Sequence, residues 1–227
     1  MKRVLSLIAS AMATVAMVAC ASGNGTSPTI GSTQSSYTAS VTRGSLPGAL
    51  GAKPGATNLL RDGGFEKPVV PSKSYDVFST GQTFSKWTVI GATGSVGIVS
   101  GTFTQNGFTF PAKSGKQFVD LTGLTQTATG LSQTVATIAD AKYKLVFWIG
   151  NVYDPSGIFG VSSTVKVLVN GRHVFSATNS QKSTTQVWRK FSTTIKATSR
   201  RTKIALVNGD PANDTNNGLD AVELFAQ

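Results

Sequence analysis

Thr164-Val165-Lys166-Val167-Leu168-Val169-Asn170-Gly171-Arg172-His173-Val174 is the stretch that decides the fold. Side chains along an extended strand point alternately to opposite faces. Here Val165, Val167 and Val169 fall on one face, with mostly polar residues on the other, so one face meets a core and the other meets water. Asn170-Gly171 is the pair that a tight two-residue hairpin demands, because both central residues of such a turn take positive φ. A half-buried strand, a tight turn and a return strand therefore open the reading as antiparallel β.

Working outward, the same signature recurs in short Val-, Thr-, Phe- and Ile-rich runs separated by Gly, Asn, Pro or Asp clusters. These are Lys86–Ile90, Gln117–Leu121, Leu131–Val135, Tyr143–Ile149, Ser163–Val169, Phe191–Ile195, Lys203–Val207 and Ala221–Phe225. No long segment keeps a helical period. Strands without intervening helices predict an all-β, two-sheet antiparallel β-sandwich of the jelly-roll type. Residues 58–227, about 170 in all, suit one domain with a single core.

The domain opens with Asn58-Leu59-Leu60-Arg61-Asp62-Gly63-Gly64-Phe65-Glu66. Then come Trp87-Thr88-Val89, Gly115-Lys116-Gln117-Phe118-Val119-Asp120-Leu121-Thr122-Gly123 and Leu131-Ser132-Gln133-Thr134-Val135. Tyr143 to Phe147, Trp188 and Gly218-Leu219-Asp220-Ala221-Val222 complete the series. In order and spacing these landmarks resemble the family called Domain of Unknown Function 642, extracellular proteins of plant cell walls and bacteria with a galactose-binding-like jelly roll related to carbohydrate-binding modules. The chain departs from the family pattern at Asp62, where Asn is usual, and at Ala221, where a second Asp is frequent. It also lacks the paired cysteines of plant members.

The resemblance implies a structural calcium near the first and last strands, with Glu66 and Asp220 as its carboxylates. Calcium takes six to eight oxygens and would staple the chain ends together; otherwise the two acids pair with lysines or cap turns. The loop Asp210–Gly218 is also rich in oxygen ligands, but it lacks the glycine at position six and the glutamate at position twelve of an EF-hand. Asn213-Asp214-Thr215 fits a glycosylation triplet.

Enzyme chemistry finds few residues to work with. One histidine, His173, sits beside the expected hairpin turn, and Cys20 is the only cysteine. That pattern leaves no Cys-His or multi-His zinc site, and no serine lies in a Gly-x-Ser-x-Gly elbow. A carboxylate pair drawn from Glu66, Asp120, Asp154, Asp210, Asp220 and Glu223 is the one hydrolytic alternative. Sugar binding instead asks for a flat aromatic face flanked by polar groups. Trp148 has the opposite parity to Tyr143, Leu145, Phe147 and Ile149, so it points away from their face together with Lys144 and Val146. Asn151, Tyr153 and Asp154 follow it in a loop that also holds Ile158 and Phe159. Phe108 and Phe110 form a second aromatic loop. Both loops suit a ligand-binding rim, or else fold back onto the sandwich. Trp87 and Trp188 are expected to be structural.

The N-terminus reads as an export signal. Met1-Lys2-Arg3 precedes an apolar run from Val4 to Val18 and then Ala19-Cys20. That run falls short of the roughly twenty residues a spanning helix needs. Met17-Val18-Ala19-Cys20 resembles a bacterial lipobox, which places a lipid on Cys20 and the signal peptide at residues 1–19. Residues 20–57, rich in Ser, Thr and Gly, cannot bury a core and read as a tether. Without a second cysteine no internal disulfide is available. Ala21 in place of Asp is compatible with sorting to an outer membrane. The whole chain carries 21 Lys and Arg against 10 Asp and Glu; losing Lys2 and Arg3 leaves a net charge of +9.

Such a basic surface favours anionic partners. Its cations are scattered and show no nucleic-acid register. The expectation is a lipid-anchored, non-enzymatic carbohydrate-binding or adhesion module of the bacterial envelope, facing a glycan, with anionic glycans favoured. The alternatives are an envelope lipoprotein that binds another envelope protein, and a carboxylate-dependent glycoside hydrolase.

Overall fold

Runs of β-branched and aromatic residues pair because each must bury one face and satisfy its backbone N–H and C=O groups laterally. The computed structural model describes residues 57–155, 157–210 and 216–227. The signal peptide, Cys20 and, except for Thr57, the tether lie outside the described residues, as does the glycosylation triplet. Among the described residues no helix is long and apolar enough to cross a membrane.

Fourteen strands follow one another: β1 (Tyr75–Ser79), β2 (Thr83–Phe84), β3 (Trp87–Gly91), β4 (Ser95–Ser100), β5 (Thr104–Gln105), β6 (Phe108–Thr109) and β7 (Gln117–Asp120), then β8 (Thr129–Ala136), β9 (Lys142–Asn151), β10 (Ser163–Val169), β11 (Arg172–Asn179), β12 (Val187–Lys196), β13 (Arg201–Asn208) and β14 (Gly218–Ala226). One six-stranded sheet has the order β1-β4-β7-β14-β9-β12, the other β11-β10-β13-β8-β3-β2, and β5-β6 form a small hairpin. All the strand pairs are antiparallel. The two-sheet sandwich read from the sequence is the observed architecture.

Each of the eight runs named from the sequence lies on a strand. The Asn170-Gly171 turn joins β10 to β11 with φ of 50° and 83°, and Val169 pairs with Arg172 across it. Strand β4, by contrast, escapes a parity reading because all six of its residues are buried. Ile98 belongs to the main core and Val99 to a second apolar cluster on the other side of the same sheet.

The main core fills the space between the sheets, with Trp87, Phe65, Phe147, Leu131, Leu145 and Ile204 fully buried. The opening motif builds one of its walls. Asn58 Oδ1 accepts the N–H groups of Leu60 and Leu224, and its Nδ2 donates to the Val222 carbonyl, tying the start of the domain to its last strand. Gly63 lies against that strand: a Cβ there would sit 1.9 Å from the Val222 carbonyl oxygen. Asp62 carbonyl accepts the Trp87 indole N–H, and Phe65 packs on the same ring at 5.4 Å. The motif is thus the contact between the chain start, β3 and β14.

Candidate functional site

Strand β9 runs between β14 and the edge strand β12, so its outward residues sit on one sheet's outer face, one strand in from the edge. Tyr143, Leu145, Phe147 and Ile149 point into the core. The alternate residues Lys144, Val146 and Trp148 therefore point out, as the parity of the sequence requires. Trp148 is half-buried. It pairs with Lys190 of β12 and with Asp220 of β14. Lys113 Nζ stands 4.2 Å from the centre of the indole ring and Lys190 Nζ 6.0 Å from it.

The neighbouring part of this outer face is covered. Val99, Phe110, Phe118, Val152 and Phe159 form a second buried cluster, with Phe103, Phe108, Ala112 and Trp188 packed against it. The segment carrying β5 and β6 folds back over β4 and β7 because its phenylalanines bury more apolar surface there than they could in water. Phe159 packs edge-on against both Phe108 and Phe110 at 5.1 Å. The cover is pinned where it ends: the Pro111 carbonyl accepts Trp188 Nε1 and Gln186 Nε2.

Immediately after this pin, two carboxylates clasp the next turn of chain. Asp220 Oδ2 accepts the N–H groups of Lys113 and Ser114, at 2.9 and 3.0 Å. Glu66 Oε1 accepts those of Lys116 and Gln117, at 2.9 and 3.2 Å. Gly115 between them has φ of 67°, and a Cβ there would fall 2.1 Å from Glu66 Oε1. Burial pushes the Asp220 carboxyl up to about 7, opposed by its backbone N–H donors and reinforced by the charge of Glu66. The clasp fixes the backbone of Lys113, and so fixes the lysine that covers Trp148.

The residues proposed for a ligand from sequence thus divide. Trp148 is open on a sheet face. Tyr153 is partly exposed beneath Lys182 Nζ, 5.3 Å from its ring. Asp154 Oδ2 faces its own loop and accepts Phe159 N–H, at 3.4 Å. Asn151 is fully buried: its Nδ2 donates to the Gln181 carbonyl and its Oδ1 accepts from Ser163. Phe110 is buried and Phe108 partly so, both inside the second cluster. For Asn151, Phe108 and Phe110 the structure differs from a binding rim, because these side chains are consumed in holding the loops down. Trp87 and Trp188 are structural. Lys113 and Lys190 were not singled out in the sequence. Lys190 reaches Trp148 only through the register of β9 against β12, and Lys113 only through the clasped turn.

Glu66 and Asp220 do come together, as the resemblance implied, but their surroundings are wrong for calcium. Five backbone N–H groups, counting Ala221 on Asp220 Oδ1, point at the two carboxylates where a calcium cage needs further oxygens. Among the described residues no three of His, Cys, Asp and Glu converge. The set does not fit a calcium ion. Elsewhere, His173 Nε2 bonds Ser176 Oγ at 2.8 Å on an exposed strand. Asp120 is buried and takes N–H groups from Thr122 and Asn217, and burial pushes its carboxyl up to about 6.

Among solved structures the chain is similar to the apo form of a cyclase from Fischerella sp., with 19% identity over 76% of this chain and 97% of that chain and a TM-score of 0.55. It is equally similar to a cyclase from Fischerella sp. TAU in complex with 4-(1H-indol-3-yl)butan-2-one: 19% identity, 76% of this chain, 98% of that chain, TM-score 0.55. Both share the fold. The carbohydrate-binding module TmCBM61 in complex with β-1,4-galactotriose matches at 21% identity over 76% of this chain and all of that one, with a TM-score of only 0.41. No curated protein matches. A family model described as "protein of unknown function (DUF642)" matches residues 58–224, from the opening Asn58 motif to Leu224 of the last strand, and the chain therefore belongs to that family.

Proposed function

We propose that this chain is a non-enzymatic carbohydrate-binding module of the bacterial cell envelope, held there by a lipid on Cys20 and presenting Trp148 as its sugar platform. One observation carries this reading. An indole, the side chain best suited to stack on the C–H face of a pyranose, stands half-exposed on a sheet's outer face, one strand in from the sheet edge. Its flanking strand supplies Lys190, Ser192 and Thr194 on the same face for hydroxyl groups. A rigid sheet holds such a platform in place at little entropic cost on binding.

The non-enzymatic part of this reading is supported by how the Glu66 and Asp220 pair is employed. Asp220 is fully buried and committed to backbone N–H groups. A glycosidase needs both carboxylates open to the scissile bond.

The test is equilibrium binding of the purified chain to a panel of polysaccharides at low and high salt, with Trp148→Ala beside it. Salt-resistant binding that the variant loses supports the reading. An unchanged variant removes Trp148 from it, and turnover of any polysaccharide removes the non-enzymatic part. Anchoring is tested separately in cells: Cys20→Ala should move the protein from the membrane fraction to the soluble or precursor fraction.

A further inference from the structure

Resting on the reading of Trp148 as the sugar platform, we infer that its ligand is an acidic pyranose, and that Lys113 and Lys190 are the residues that select it.

Two ammonium groups stand at one indole, Lys113 at 4.2 Å and Lys190 at 6.0 Å from its centre. Both lysines are exposed. The single ion pair formed among the described residues joins Lys196 to Asp140, well along β12 from the platform. Lys113 and Lys190 therefore both stand at the same ring without an ion-pair partner among the described residues. Asp220, which pairs with Trp148 across β9 and β14, has its oxygens bonded to the backbone N–H groups of Lys113, Ser114 and Ala221.

A cation over an aromatic face is held by the ring's quadrupole. A neutral sugar that stacks on Trp148 has to displace Lys113 and forfeit that attraction. A sugar bearing an anionic group at its rim instead draws the ammonium from the ring face to its own edge, replacing one attraction by a charge-assisted hydrogen bond. The second lysine donates to another oxygen of the same group. Lys113 does not wander in this exchange, because its backbone is clasped by Asp220 and the Pro111 carbonyl two residues earlier is bonded to Trp188 and Gln186. The geometry suits a carboxylate or a sulfate ester equally; a uronic acid and a sulfated sugar are the two sources.

The experiment measures binding of the purified chain to polygalacturonate, its fully methyl-esterified form, dextran sulfate and neutral galactan. Lys113→Met and Lys190→Met keep the aliphatic stem and remove the charge. Lys166→Met, on the outer face of the other sheet, makes the same change in net charge away from the platform. The wild type should bind polygalacturonate or dextran sulfate more tightly than the esterified and neutral polymers, and the tighter of the two identifies the acidic group. Each platform variant should lose about tenfold, the worth of one hydrogen bond to a charged group, while Lys166→Met stays within about twofold. The inference is overturned if the double variant keeps the preference for acid, or if Lys166→Met loses as much as the platform variants. In either case binding that still depends on Trp148 leaves the sugar platform standing. Failure of the wild type to bind any of the four polymers overturns both.

Discussion

Asp220 offers a prediction whose size follows from its surroundings. The carboxyl is fully buried, and burial is the main reason that it is pushed up to about 7 from an ordinary 3.8. The folded protein thus binds a proton that the unfolded chain has already released between those two values. Stability changes with pH in proportion to the protons bound by the unfolded state minus those bound by the folded one. That difference is negative here, so stability falls as pH rises. The contribution is fully present below about pH 4 and lost above about pH 7. At about 1.4 kcal/mol per unit, the loss is at most about 4 kcal/mol. Urea unfolding at intervals from pH 4 to pH 8 measures it. Asp220→Asn keeps the acceptor for Lys113 and Ser114 but cannot titrate, so its stability should be nearly flat from pH 6 to pH 8, where the wild type still declines. A wild type that gains stability across that interval, or a variant with the same slope, refutes the account of the clasp. Asp120, pushed up to about 6 by burial, contributes to the slope at lower pH, and Asp120→Asn separates the two.

Gly63→Ala should cost at least about 2 kcal/mol, because its Cβ would meet the Val222 carbonyl, backbone that cannot rotate away; a urea midpoint within error of wild type would show that the chain start lies farther from β14. Phe110→Ala removes a buried ring from the second cluster and should cost about 3 kcal/mol, while amide exchange quickens at Lys113 and Ser114; slow exchange there would mean that the clasp holds without the cover. Calcium and a chelator should leave the melting temperature unchanged, since backbone N–H groups already bond Glu66 Oε1 and both Asp220 oxygens. A chelator-sensitive melting point would refute the misfit of this carboxylate pair to calcium.

The sequence by itself determined the fold class and the parity of β9 and β10. Alternation in residues 164–169 and the Asn170-Gly171 pair carry local information, because a strand's two faces and a turn's φ angles depend on a few adjacent residues. The same parity rule put Trp148 on the outer face. It could not find β4, whose residues are buried on both faces and so do not alternate. Nor could it decide whether Phe108, Phe110 and Asn151 face a ligand or the protein. That choice depends on whether another segment arrives to cover them, and the covering residues, Phe159, Trp188 and Gln181, lie far along the chain. Only the tertiary structure brought Lys113 and Lys190 to Trp148, because one arrives by strand register and the other by a turn clasped between Glu66 and Asp220. Those acids are separated by most of the domain, and chain folding alone sets them side by side.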